Sequence, residues 1–418
     1  MLSNYICALD LGSSKIACVA IEIRRKRMVN ITVETFPSKG ISDSAIVDAI
    51  GLTRSISDTL KKLKIKSGIN IKSIYTNVSG KNIILRHSQA IIPLTEKGNK
   101  IITYHDIQRV NEQARILGSN LEEEIIQAIP SSYTIDSRGN ILNPLGLYSH
   151  SLGVDLYLIC AKLSFIQNFT RIANQAGYEI KDLFFSGMAT KEVVFDKRYK
   201  DGITVFCDIG SDITELLIFQ DGTLRNIEIL SSGGNDLTDE LAEGLKIPFD
   251  LAEDVKRSYA SAGGNIKERQ DREILIKKDN IYKPIEHRLV CELVTSETKL
   301  ICQSIKEAIE KNVACSKINN FITTGRTVLL EGFLEMLENN LGVSVKLGRI
   351  THPDIISLIG KNPTLSGQKY LTYLTSLGIA CLALKDQRSL PLLSTPLSEP
   401  DFVIKMINRI REVYQEYF

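Results

Sequence analysis

The sequence contains no tryptophan, only 5 histidines, and 8 cysteines that form no CxxC pair. Without Cys or His paired at ligand spacing, zinc-ribbon and thioredoxin-like chemistry is not expected. Cys7, Cys18, Cys160, Cys207, Cys291, Cys302, Cys315 and Cys381 sit mostly inside apolar runs, as buried thiols of a reducing compartment do. An excess of one charge is missing too. The 51 Lys and Arg nearly cancel the 49 Asp and Glu, with no long block of either, so no nucleic-acid partner is expected. No basic N-terminal region precedes an apolar core, and a secretory leader is not expected. The charge-free apolar run Tyr370 to Leu384 falls short of the roughly 20 residues a spanning helix needs. Proline is sparse, yet Pro391, Pro396 and Pro400 crowd into Leu390 to Asp401, which reads as a linker.

What is present is a mixture of strand and helix signals. At 418 residues the chain exceeds what one hydrophobic core usually serves, so two or more domains are expected. The opening stretch "CALDLGSSKIACVAIE" (Cys7 to Glu22) runs from an apolar strand through an acid and a small polar turn into a second apolar strand. Met28 to Phe36 reads as a third strand, Ala45 to Lys64 as a helix, and Lys72 to Ser79 as a strand closed by Gly80, which together argue for an α/β layer. Between Ile83 and Lys162 the texture changes to short strands around a helix at His105 to Leu117, the pattern of a small inserted α+β domain. A helix at Ser164 to Ala176, ended by Gly177, leads to a strand at Ile180 to Phe185.

The opening pattern then returns in "GITVFCDIGSDITELLIFQDGTLRNIEIL": strand, Asp, small polar turn, strand, turn, strand. Ala260 to Pro284 turns polar and Gly-rich, as a loop or hairpin excursion, and Ile285 to Ala314 reads as a helix. "NNFITTGRTVLLEGFLEML" supplies a strand, a Gly turn and a helix, and Tyr370 to Leu384 a final helix.

The turn Asp10, Gly12, Ser13, Ser14, Lys15 offers backbone N–H groups, hydroxyls and an ammonium, a donor set that suits a phosphate group. Asp10 has the chemistry to hold a magnesium ion through water, because magnesium keeps much of its hydration shell and takes few carboxylates. Asp208 in the repeated turn would face it. A single Gly-Ser hairpin also occurs with no ligand at all, so the weight rests on an ordered set: both turns, then "SSGGND" (Ser231 to Asp236), "AEDVK" (Ala252 to Lys256) and "TTGR" (Thr323 to Arg326).

In this order the set resembles the actin, Hsp70 and hexokinase superfamily, and within it most closely the bacterial cell-division FtsA family. "FPSKGISDSAIVD", "IYTNVSGKNI" and "NPLGLYSHSL" are similar to further segments of that family, so the likeness covers nearly the whole chain. It implies an α/β, actin-like ATPase fold of two duplicated halves with an inserted subdomain 1C. The expected order is subdomain 1A at 1–82, 1C at 83–162, 1A again at 163–200, 2A at 201–235 and 2B at 236–315. The return through 2A to 1A follows at 316–389, the linker at 390–401 and an amphipathic membrane-targeting helix at 402–418.

The resemblance also implies ATP with magnesium. Asp10, Gly12, Ser13, Ser14 and Lys15 would cradle phosphate, and Asp208, Gly210, Ser211 and Thr214 would complete the phosphate and metal site. Gly233 and Gly234 would cover the phosphates, Glu253 and Lys256 reach the nucleoside, and Gly325 with Arg326 back the adenine. Implied partners are the C-terminal tail of FtsZ, bound on the half that holds "SSGGNDLTDELAEGLK", further copies of the chain in a filament, other divisome proteins and the cytoplasmic membrane surface. The implied location is the inner face of that membrane at the division site.

Two turns depart from the family, at three positions. Asp212 and Ile213 stand where a Gly and a Thr are usual, which puts a carboxylate near the phosphate seat, and Arg326 stands where a second Gly is usual. Arg326 either blocks close backbone approach or stacks its planar guanidinium on the base. Both departures lead to the expectation of slow ATP hydrolysis at most.

At the C-terminus, Phe402, Val403, Met406, Ile407, Ile410, Val413, Tyr414, Tyr417 and Phe418 are separated by one, three or four residues, which places them on one helical face. Such a face either docks on the chain's own globular part or lies in a membrane interface; FtsA-like proteins end in a helix of the second kind. Three competing readings are a small-molecule kinase of the superfamily, for which the insert offers no catalytic Asp, a PilM-like pilus-assembly adaptor, and a degenerate member of the superfamily that no longer binds nucleotide.

Overall fold

The computed structural model describes residues 4–25, 27–42, 45–95, 98–263, 273–278, 281–360 and 362–389. Its framework is a pair of sheets of five strands, each with the same internal order. In the first sheet Asn4–Leu11, Lys15–Arg24 and Arg27–Pro37 form an antiparallel meander. Ser73–Val78 and then Glu179–Phe185 add on in parallel beside Asn4–Leu11. In the second sheet Ile203–Ile209, Thr214–Gln220 and Thr223–Leu230 repeat the meander. Ile318–Thr324 and Val345–Leu347 take the parallel positions.

The duplication extends to single atoms at the turns. Gly12 N donates to Lys15 O at 3.0 Å and Gly210 N to Ile213 O at 2.9 Å. A Cβ on either glycine would stand 3.0 Å from that same carbonyl oxygen.

The meander strands are apolar on both faces because helices cover them. Cys7, Leu9, Ile16 and Cys18 pack under the helix Ala49–Ser67 and the helix Leu163–Gln175. Ala8, Ala17, Val19 and Ile21 face the helix Leu374–Ser389. All eight cysteines are buried as free thiols.

Between Ile83 and Lys162 a sheet of four strands and the helix Tyr104–Leu117 enclose a core of their own around Val110, Leu152 and Leu156. Among the described residues no helix is long and apolar enough to cross a membrane.

Some element boundaries move. The helix expected from Ala45 begins at Ala49, because Asp48 caps it by accepting from Ile50 N and Gly51 N. Residues Ile41–Ser42 and Ala45–Ile46 pair instead as a short hairpin. The final helix starts at Leu374, after a 3-10 stretch over Gly367–Tyr373. The polar excursion carries a hairpin, Glu273–Lys278 with Ile281–Glu286. The linker 390–401 and the amphipathic segment 402–418 lie outside the described residues.

Candidate functional site

The two duplicated turns meet at one cleft of about 940 Å³. Asp10, Gly12, Ser13, Ser14 and Lys15 line it from one half, and Asp208, Gly210, Ser211 and Asp212 from the other; Gly234, Glu253, Lys256, Gly325 and Arg326 complete the wall. The structure thus brings together thirteen of the fifteen expected nucleotide residues. Thr214 and Gly233 do other work. Thr214 is fully buried and donates to Ser232 O at 2.8 Å. Gly233 lies so close to the second turn that a Cβ would meet Ser211 O at 2.6 Å, so its small size serves packing.

Each acid has a defined neighbourhood. Asp10 accepts from Asn77 Nδ2 at 3.0 Å, while Leu11 N donates to Asn77 Oδ1 at 2.7 Å. Burial pushes the Asp10 carboxyl up to about 7, against the attraction of Lys15, and the like charge of Asp208 adds to the rise. Asp208 is raised as well, again by burial. Lys15 Nζ donates to Thr372 O at 2.9 Å. Burial lowers it to about 7, and the charge of Arg326 works in the same direction.

Sequence reasoning missed Asn77, Ser79 and Glu215, which also line the cleft. Ser79 bonds Glu215 from the opposite half through a very short contact. The other oxygen, Glu215 Oε2, is buried with no hydrogen-bond partner. Such an orphan costs about 1–3 kcal/mol unless water or a ligand meets it. The available signal was the cluster of polar residues in "TNVSG" ending an apolar strand, and an acid directly following the second turn.

Asp212 is less exposed to a phosphate than its position suggests. Asn235 Nδ2 donates to Asp212 Oδ1 at 2.5 Å. Lys256 Nζ donates to Gly234 O at 2.6 Å and pairs with Glu253 Oε2 at 2.6 Å, so this pair also fixes the glycine loop. Among the described residues no group of three or more His, Cys, Asp or Glu is arranged to hold a metal directly. Two carboxylates lining one cleft fit a hydrated divalent ion, which needs few protein ligands.

The buried carboxyls make stability depend on pH. Burial raises Glu215 from its ordinary 4.5 to about 8, so the folded chain keeps a proton that the unfolded chain releases. Stability therefore falls as pH rises through that window, and Asp10 acts alike up to about 7. Lys15, lowered to about 7, does the opposite above that pH. Glu215→Gln is expected to flatten the fall of melting temperature between about pH 5 and about pH 8. Parallel curves for the variant and the unaltered chain would clear Glu215 of that linkage.

Comparison with known proteins agrees with this architecture. The chain has the fold of the PilM–PilN type IV pilus biogenesis complex structure (TM-score 0.61, 15% identity, 91% of this chain and 98% of that one). It also shares the fold of MreB5 of Spiroplasma citri bound to ADP (TM-score 0.53, 10% identity, 93% and 99%). The fold is therefore that of an actin-like ATPase carrying an insert.

The family model for cell division protein FtsA matches residues 205–370, and that for the SHS2 domain inserted in FtsA matches residues 80–160. Cell division protein FtsA of Borreliella burgdorferi is 25% identical over 352 residues, 83% of this chain and 85% of that protein. FtsA of Escherichia coli K12 is 22% identical over 356 residues, 82% and 84%. The chain belongs to the FtsA family of cell-division proteins.

Proposed function

We propose that this chain is an ATP-binding adaptor that assembles into filaments and ties FtsZ to the inner face of the cytoplasmic membrane at the division site. The nucleotide part rests on the paired turns: two superimposable Gly turns, each behind an Asp, line one cleft. Asp10 and Asp208 would hold magnesium through water, and the ion would offset phosphate charge. The N–H groups and hydroxyls of Ser13, Ser14 and Ser211 supply donors for the phosphates. Hydrolysis is expected to be slow at most, because Asp212, Ile213 and Arg326 depart from the family's pattern at the second turn and at the adenine turn.

Self-assembly is supported by the insert. Ile91, Tyr104, Leu142 and Tyr148 are each more than 60% exposed there, and large exposed apolar side chains mark contact surfaces. The helix expected at 402–418 would carry membrane attachment, and the half with Ser231 to Lys246 would take the FtsZ tail. The PilM-like reading shares the fold, but both matching family models are those of FtsA.

Equilibrium titration of the full chain with ATP in magnesium tests the nucleotide part. Saturable one-to-one binding is expected, and no binding at millimolar ATP would sink it.

A further inference from the structure

The turn that carries Arg326 is fastened to the second phosphate-type turn. Gly325 has φ +91° and lies so close that a Cβ would stand 2.1 Å from Ile209 O and 2.9 Å from Asp208 Oδ1. On the other side of Arg326, Thr327 Oγ1 donates to Gly210 O at 2.7 Å. The same hydroxyl would lie 2.6 Å from a Cβ on Gly234, at the start of the glycine loop. Arg326 is therefore held between two residues that both touch the Asp208–Gly210 segment.

Charge points the same way. Lys15, Lys256, Arg257 and Arg326 all line the cleft. The carboxylate near the last three, Glu253, is already divided between Lys256 Nζ at 2.6 Å and Arg257 Nε at 2.7 Å. Among the described residues no carboxylate oxygen lies within 4.0 Å of a nitrogen of Arg326. Its charge is felt at Lys15, on the opposite half. A guanidinium presents a planar fork of donors that matches phosphate oxygens, and that of Arg326 has no carboxylate among the described residues to occupy it.

From these contacts we infer that Arg326 is a phosphate-binding residue, acting with Lys15 on the polyphosphate of a nucleoside di- or triphosphate, and not a stacking or blocking group at the base. The inference rests on the reading of the cleft as a nucleotide site.

The test titrates the full chain and its Arg326→Ala and Arg326→Lys variants with ATP and, separately, with inorganic tripolyphosphate, each with magnesium and with a chelator. Arg326 is exposed in the cleft wall, and the melting temperature of each variant checks that folding is intact. Arg326→Ala is expected to weaken both ligands about tenfold to a hundredfold, more so in chelator, and Arg326→Lys to restore part of the loss. Unchanged or tighter ATP binding by Arg326→Ala overturns the inference and leaves the nucleotide reading standing. A loss confined to ATP, with tripolyphosphate unaffected, also overturns it, because that outcome assigns Arg326 to the nucleoside. If the unaltered chain binds neither ligand, the inference and the nucleotide reading fail together.

Discussion

Ile407→Glu is expected to release the protein from liposomes while leaving the melting temperature of its globular part unchanged. The sequence spacing of Ile407 and eight other apolar residues at 402–418 predicts a single helical face, following a stretch that holds three prolines. Burying a large apolar side chain contributes roughly 1.5–3 kcal/mol, less where a helix inserts only shallowly and must be ordered on the surface. A carboxylate on that face removes one such contribution and adds the cost of desolvating or protonating an acid. Together these amount to about 3 kcal/mol, more than a hundredfold in the partition of one helix. On a filament many helices act together, so avidity multiplies the contrast between the variant and the unaltered chain. A lower melting temperature with liposome binding retained would mean instead that the helix docks on its own globular part.

The second large effect is structural. Gly378, inside the helix Leu374–Ser389, is placed where a Cβ would stand 1.8 Å from Ala189 O and 2.3 Å from Ala189 C. The neighbours are backbone atoms of the helix Ser186–Val194 and have no rotamer by which to yield. Leu377, Ile379, Ala380 and Ala383 around it are fully buried, so the helix also lacks room to slide. Gly378→Val must separate two helices that hold the first sheet's inner face, at about 3 kcal/mol by the usual cost of overpacking. Gly360→Ala is the matched control: nothing lies within 4 Å of the added Cβ. A fall of several degrees in melting temperature is expected for Gly378→Val and almost none for Gly360→Ala; equal effects would refute the close-approach account.

The duplicated strand, Asp and Gly turns were legible in the sequence because every signal lies within a few adjacent residues, and the structure superimposes their hydrogen bonds. Asn77, Ser79 and Glu215 were not, because each acts through a partner far along the chain: Asp10 for Asn77, and Glu215 for Ser79. Thr214 and Gly233 show the converse. Their types fit a phosphate site, yet burial and backbone contact give them structural work. The helix start moved by four residues because the apolar Ala45, Ile46 and Val47 extend the helical pattern in sequence, whereas Ala45–Ile46 pair as a strand and Asp48 caps the helix. Gly378 reads as an ordinary helix-weakening glycine until the facing backbone is seen.

Co-sedimentation of FtsZ filaments with liposomes tests the central claim most directly, using the full chain, ATP and magnesium. The account predicts that FtsZ pellets with liposomes only when this protein is present, and stays in the supernatant with Ile407→Glu. FtsZ left in the supernatant while the unaltered protein itself coats the liposomes would contradict it.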